Sequence, residues 1–178
     1  MAQRINVVGT SASGKTTFSK ALAQKMGAPH IEMDALNWQS NWQQCAYDEL
    51  MIKLGTHLAG DSWVLDGNYS RTTPLKWQNV ELVIWLDYGF GLNLYRSVSR
   101  SIKRIISGKA IWLDTNNIET VKKSFLSRDS VIWYMMKNYR SNRKKYLTVM
   151  QSRQFQHIQF IHLNSPKAAK AFLQQFQV

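Results

Sequence analysis

The sequence has a single cysteine, Cys45, among 178 residues, so no disulfide can form within the chain, and no Cys/His cluster has the spacing of a zinc site. Acidic residues are also scarce: 11 Asp and Glu stand against 23 Lys and Arg, for a formal net charge of +12. That balance favours anionic partners, among them nucleic acid, an anionic membrane surface and phosphorylated small molecules, without choosing between them. No apolar run is long enough for a secretory leader or a membrane span. Together with the lone cysteine, this leads us to expect a soluble cytoplasmic protein. There is no internal repeat, low-complexity tract or Pro/Gly-rich linker, so one domain over 1–178 is expected. Hydrophobic residues make up 44% of the chain, enough for a substantial core.

What is present is a series of short apolar runs separated by longer, helix-like stretches. Ile5 to Val8, His30 to Met33, Trp63 to Leu65, Leu82 to Leu86 and Ile158 to Leu163 have the length and β-branched or aromatic content of strands. Five strands alternating with helices predict a parallel α/β sheet. Three of the runs end on a carboxylate, Asp34, Asp66 or Asp87, where open α/β sheets bind ligands. Near the end, Ser165 followed by Pro166 starts a helix with Ala169, Phe172, Leu173 and Phe176 on one face.

Between the first strand and a helix predicted over Lys15 to Met26 lies Gly9-Thr10-Ser11-Ala12-Ser13-Gly14-Lys15-Thr16, a full match to G-x-x-x-x-G-K-[ST] in the structural context that motif requires. Small residues let the backbone curl until its N–H groups point at phosphate oxygens, and the helix N-terminus adds positive potential. Lys15 neutralises β/γ charge, the Thr16 hydroxyl supplies part of a magnesium shell, and Thr17 extends the loop into the helix. The expected ligands are ATP, or a close relative, and Mg2+. Both Asp66 and Asp87 have the apolar lead-in of a magnesium-side carboxylate, and periodicity does not separate them.

The stretch Trp63-Val-Leu-Asp-Gly-Asn-Tyr-Ser-Arg-Thr72 resembles the segment of nucleoside monophosphate kinases, adenylate kinase above all, in which a strand ends in Asp-Gly-Phe-Pro-Arg-Thr. By that resemblance Asp66 is the magnesium-side carboxylate, Asp87 is structural, and Arg96 and Arg100 hold the nucleotide. Ile31-Glu-Met-Asp-Ala-Leu-Asn-Trp38, Asp66-Gly-Asn-Tyr69, Arg104-Ile-Ile-Ser-Gly-Lys109 and Phe125-Leu-Ser-Arg-Asp-Ser130 together resemble an adenylate-kinase-related subgroup named after a DNA topology modulation protein. The resemblance implies a three-layer α/β P-loop kinase fold, a five-stranded parallel sheet in the order 2-3-1-4-5 and a helical, arginine-rich lid. The core would comprise 1–33, 61–104 and 155–178, the acceptor-binding region 34–60 and the lid about 105–143.

The acceptor region departs from adenylate kinase. Between Asp34 and Ser62 there is no arginine to grip an acceptor phosphate, and Lys53 is the only lysine. A carboxylate at the place of Asp34 resembles that of shikimate and gluconate kinases, which implies that it orients or deprotonates a hydroxyl; otherwise it caps the next helix. Trp38 and Trp42 lie one helical turn apart if the segment is helical, and either line an aromatic pocket or pack in the core. Arg71 resembles the adenylate kinase arginine that grips the acceptor from the other side, with one residue inserted before it.

Basic residues concentrate between Arg96 and Arg153. Mobile arginines closing over a phosphoryl group neutralise its charge and exclude water, and Arg128 and Arg140 resemble lid arginines in order and spacing. The leading expectation is therefore a kinase passing the γ-phosphoryl of ATP to a nucleoside monophosphate or hydroxyl compound, with Lys15, Asp34, Arg128 and Arg140 catalytic. A nucleotide-regulated DNA-binding protein using 96–153 stands second; no base-reading motif is present and no membrane contact is expected.

Overall fold

The computed structural model describes residues 3–112, 115–127 and 130–177. The apolar runs become five strands: β1 (Arg4–Gly9), β2 (His30–Glu32), β3 (Trp63–Asp66), β4 (Leu82–Leu86) and β5 (Gln159–Leu163). All pair in parallel in one sheet, in the spatial order β2-β3-β1-β4-β5, which is the expected 2-3-1-4-5. Two further two-residue strands, Trp38–Gln39 and Gln43–Gln44, pair antiparallel in a ribbon apart from this sheet. Strand register sets Val7 of β1 opposite Asp66 of β3, and Gly9 opposite Leu86 of β4. The Asp66 carboxylate and the start of the glycine loop thus emerge side by side.

Helices are α1 (Lys15–Met26), α2 (Met33–Asn37), α3 (Tyr47–Leu58), α4 (Thr73–Lys76), α5 (Phe90–Ser107), α6 (Val131–Met150) and α7 (Pro166–Gln175). α1 stops at Gly27, whose left-handed φ of 63° places its N–H on the last carbonyls. α7 starts as its sequence predicts, with Ser165 accepting from the Ala168 N–H and Pro166 in the first turn.

Strand alternation sends side chains to two cores. Ile5, Val7, Val64, Leu82, Ile84 and Leu86 face α1 and α7, meeting Phe18, Leu22 and Ala169. Val8, Trp63, Leu65, Val83 and Trp85 face the other way, against Leu50 and Leu54 of α3 and Tyr146 of α6. Each fully buried aliphatic side chain contributes about 2 kcal/mol, so the layers are held mainly by these two faces. The stretch expected as a helical lid is only partly regular. α5 runs on to Ser107, a single π-helical turn spans Lys122–Leu126, and α6 begins at Val131. No helix among the described residues is long and apolar enough to cross a membrane.

Candidate active site

The glycine loop takes the backbone shape its sequence calls for. Gly9 has φ 154°, and a Cβ there would stand 2.5 Å from the Leu86 carbonyl. Gly14 has φ 91° and serves as the α1 N-cap without a side-chain acceptor, so the first N–H groups of α1 remain free to bind an anion. Ala12 also adopts a left-handed φ, 64°. Thr10 and Ser13 are buried, the Ser13 N–H bonding the Thr10 carbonyl at 3.1 Å; Ser11 is half-buried and Thr17 exposed. Lys15 Nζ donates to the Thr10 carbonyl at 3.1 Å. Burial lowers its pKa, while Asp66, then Asp34, and more weakly Glu32 pull it back up. Arg100 adds to the lowering.

Asp66, 4% exposed at the end of β3, accepts from Thr16 Oγ1 at 2.5 Å through Oδ2. Its Oδ1 is buried with no partner among the described residues. Burial raises its pKa from 3.8 to about 6, against the opposing pull of Lys15 and the Thr16 hydroxyl. Asp87, the competing carboxylate, is tied up: Arg143 Nε donates to its Oδ2 at 3.0 Å, and His162 Nε2, stacked on Trp85, lies 2.9 Å from the same atom.

The residues after Asp66 couple it to the loop. Asn68 takes the Gly9 N–H on Oδ1 at 2.9 Å and gives its amide to the Gly9 carbonyl at 2.8 Å. Asn6, buried in the middle of β1, donates to the carbonyls of Leu65 and Gly67 and accepts from Trp77 Nε1 at 2.8 Å. Lys76, also buried, donates to the Gly67 and Asn68 carbonyls; burial, then the Lys145 cation, pushes its pKa down to about 7. Sequence reasoning misses Asn6, Asn68 and Lys76. A polar residue inside the apolar run Ile5 to Val8 is the one available signal, since it must find partners when buried. Gly67 has φ 141°, and a Cβ there would lie 2.7 Å from Met33 Cβ. Gly67→Ala is expected to destabilise the fold by about 3 kcal/mol through overpacking and backbone strain, read as a lower urea midpoint.

On the acceptor side, Asp34 lies in the first turn of α2, whose N-cap is Glu32 and carries no side-chain cap bond. Asp34 is exposed, and Tyr69 Oη donates to its Oδ1 at 2.7 Å. Burial, reinforced by Asp34, raises the Tyr69 pKa, keeping the phenol a donor. Trp38 and Trp42 are not on a helix: α2 ends at Asn37 and the ribbon follows. They meet edge-on at 6.0 Å, half-buried, outside both cores. Arg71 is exposed with its guanidinium 5.8 Å from the centre of the Tyr47 ring.

Two expected nucleotide-side arginines converge on the loop. Arg96 Nη1 donates to the Ser13 carbonyl at 3.1 Å, and its guanidinium sits over Tyr88 at 5.4 Å. Arg100 Nη2 reaches Ser11 Oγ at 3.3 Å, while burial, then Arg104, lowers its pKa. Arg140 is exposed on α6 beside Tyr139, Arg143 and Lys144, with no described bond to the loop. Arg128 lies outside the described residues.

No protein-family model matches the chain, and no curated protein matches it. Solved structures do. A shikimate kinase from Acinetobacter baumannii, in complex with shikimate, is 14% identical with a TM-score of 0.59, the match covering 98% of this chain and 90% of that one. A gluconokinase from Sinorhizobium meliloti 1021 is 16% identical with a TM-score of 0.51, covering 98% and 93%. Sheet order, loop and flanking helices agree in describing this chain as an α/β protein with the P-loop kinase fold.

Proposed function

We propose that the chain is an ATP-dependent phosphotransferase that passes the γ-phosphoryl group to a hydroxyl of a small acceptor. One observation carries this: on the acceptor side the Asp34 carboxylate is exposed and held by the Tyr69 hydroxyl at 2.7 Å, and its charge favours the ammonium form of Lys15 in the loop. A phosphate acceptor needs charge neutralisation, yet the acceptor side offers carboxylates. A hydroxyl acceptor gains from a base close to the phosphoryl donor.

ATP would lie along residues 9–17, its phosphates on the loop N–H groups and Lys15, with Arg96 and Arg100 holding the loop against α5. The residues present fit magnesium: Asp66 Oδ1 is a buried acceptor without a partner, and the Thr16 hydroxyl is beside it. Magnesium keeps several waters and takes phosphate oxygens, so one carboxylate and one hydroxyl suffice. When bound, it supplies charge neutralisation at the phosphates. The acceptor oxygen attacks the γ-phosphorus, the bond to the β–γ bridging oxygen breaks to release ADP, and Asp34 takes the hydroxyl proton. Arg71, Arg128 and Arg140 are proposed to close over the transferring group, and Trp38 to contact the acceptor. A place in the adenylate-kinase-related subgroup, and in the cytoplasm, belongs to the same proposal.

No specific contact among the described residues favours nucleic-acid binding. Several of the basic residues are engaged internally, Arg104 with Glu119, Arg143 with Asp87 and Lys145 with Ser70. The test is acceptor-dependent ADP release with magnesium and ATP across nucleoside monophosphates, nucleosides and small alcohols. Asp34→Asn is expected to lower kcat by about 10²-fold or more with little change in the KM for ATP. An unchanged kcat in that variant, or no acceptor dependence across the panel, would sink the proposal.

A further inference from the structure

A cavity of about 750 Å³ opens beside Glu32, lined from α1 by Lys20, from α2 by Ala35, from the ribbon by Trp38, and from the segment after α5 by Trp112. That is the size of a site for one small ligand. Trp38 and Trp112 stand 17° from parallel with ring centres 6.4 Å apart, and Trp42 meets both edge-on at 6.0 and 6.3 Å. Trp112 Nε1 points to Glu32 Oε1 at 3.5 Å. The wall is thus built from two segments far apart in sequence.

Two asparagines clamp those segments together. Asn117, fully buried, takes the Trp42 N–H on Oδ1 at 2.7 Å and donates its amide to the Gln39 carbonyl at 2.8 Å. Asn116 Oδ1 takes the Asn41 N–H at 2.7 Å. Asn41 and Trp42 both have left-handed φ, 59° and 61°; asparagine visits this region readily, but a bulky tryptophan does so only when its surroundings hold it there. The tryptophan cluster is therefore a constructed surface and not leftover core packing.

Its charge is close to balanced. Lys20 and Glu32 are the charged residues lining the cavity, no arginine does so among the described residues, and Lys123 Nζ stands 4.6 Å from the centre of the Trp42 ring. At one end of the cavity stands Glu32, whose charge weakly favours the Lys15 ammonium, and Asp34 follows two residues later in the first turn of α2. An acceptor anion entering there would face the Glu32 carboxylate with no arginine among the described lining residues to neutralise it. A ring with an apolar face and hydroxyls, by contrast, stacks on indole and donates to carboxylates.

Resting on the kinase proposal, we infer that the acceptor is an uncharged, hydroxylated ring compound, a nucleoside or a free sugar, held against the wall that Trp38 and Trp112 build, with its reacting hydroxyl at the Glu32 end of the cavity, toward Asp34. Trp38 and Trp112 then determine specificity. Matched pairs test this with the full chain, magnesium and ATP: adenosine against AMP, uridine against UMP and glucose against gluconate. Each is assayed for ADP release and, with a non-hydrolysable ATP analogue, for binding by calorimetry. The uncharged member of at least one pair should bind about tenfold more tightly than its charged counterpart. Whether that pair is a nucleoside or a sugar separates the two sources. Trp38→Leu and Trp112→Leu should weaken that binding about tenfold, with Trp112→Phe retaining most of it. Tighter binding of the charged members, no binding of the uncharged ones, or indifference to both leucine variants overturns the inference, whatever becomes of the kinase proposal. Binding as expected but without ADP release sinks the kinase proposal instead.

Discussion

Lys15→Ala is expected to abolish phosphoryl transfer without unfolding the protein: kcat/KM for ATP should fall about 10³-fold, the loss typical of removing a preorganised charge from where negative charge develops. The structure adds a second half to this result. Burial lowers the Lys15 pKa, so the native state bears a cost in keeping an ammonium away from water. The alanine variant is accordingly expected to be at least as stable as the parent in a thermal melt. A Lys15→Arg variant should not restore turnover, because a planar fork does not fit where a compact ammonium reaches the Thr10 carbonyl across a tight loop. Normal ATP turnover in Lys15→Ala would refute the assignment of the loop, and a large drop in melting temperature would refute the account of its burial.

Asp66→Asn separates folding from function in a pH-dependent way. The native pKa of about 6 stands above the unfolded value of 3.8, so the folded state binds the proton more tightly. Stability from this group is therefore fully present below pH 3.8, is lost as pH rises toward 6, and stays lost above. This is the reverse of a salt-bridged aspartate, and the full difference is about 3 kcal/mol. Asparagine has no such titration. The variant should gain stability over the parent at about pH 7.5, and the gain should vanish near about pH 4. Magnesium and ATP reverse the order, stabilising the parent by mass action and the variant far less. Its magnesium-dependent turnover should fall about 10²-fold or more. Melts of both proteins at the two pH values, with and without magnesium and ATP, check the sign. A variant no more stable than the parent at the higher pH would show that the carboxylate is not held against a burial cost.

Much of this architecture is local and for that reason visible in the chain. Glycines at 9 and 14 sit where φ is positive, the apolar runs are short and bounded, and Ser165-Pro166 starts a helix on its own chemistry. The five strands and α1 fall within a residue or two of their expected ends for the same reason. The stretch around Asn116 and Asn117 resists such reading, because those residues are placed by contacts with Gln39, Asn41 and Trp42 and not by any local period. Trp38 and Trp42 stand out as a pair along the chain, but the third member of their cluster, Trp112, is distant in sequence and has no local mark.

By itself, then, the sequence determined the phosphate loop, the strand-end carboxylates and the lack of arginine in the acceptor region, since each depends on residues adjacent along the chain. Only the tertiary structure shows how the surroundings of Asp66 and Asp87 differ: one oxygen of the first has no partner among the described residues, while the second is paired with Arg143 and His162. It also shows that Asp34 accepts from Tyr69 inside the first turn of α2 and is not its N-cap, and that Asn68 locks to Gly9. Those partners are far apart along the chain, and their meeting is a product of strand order and register, which no local spacing encodes.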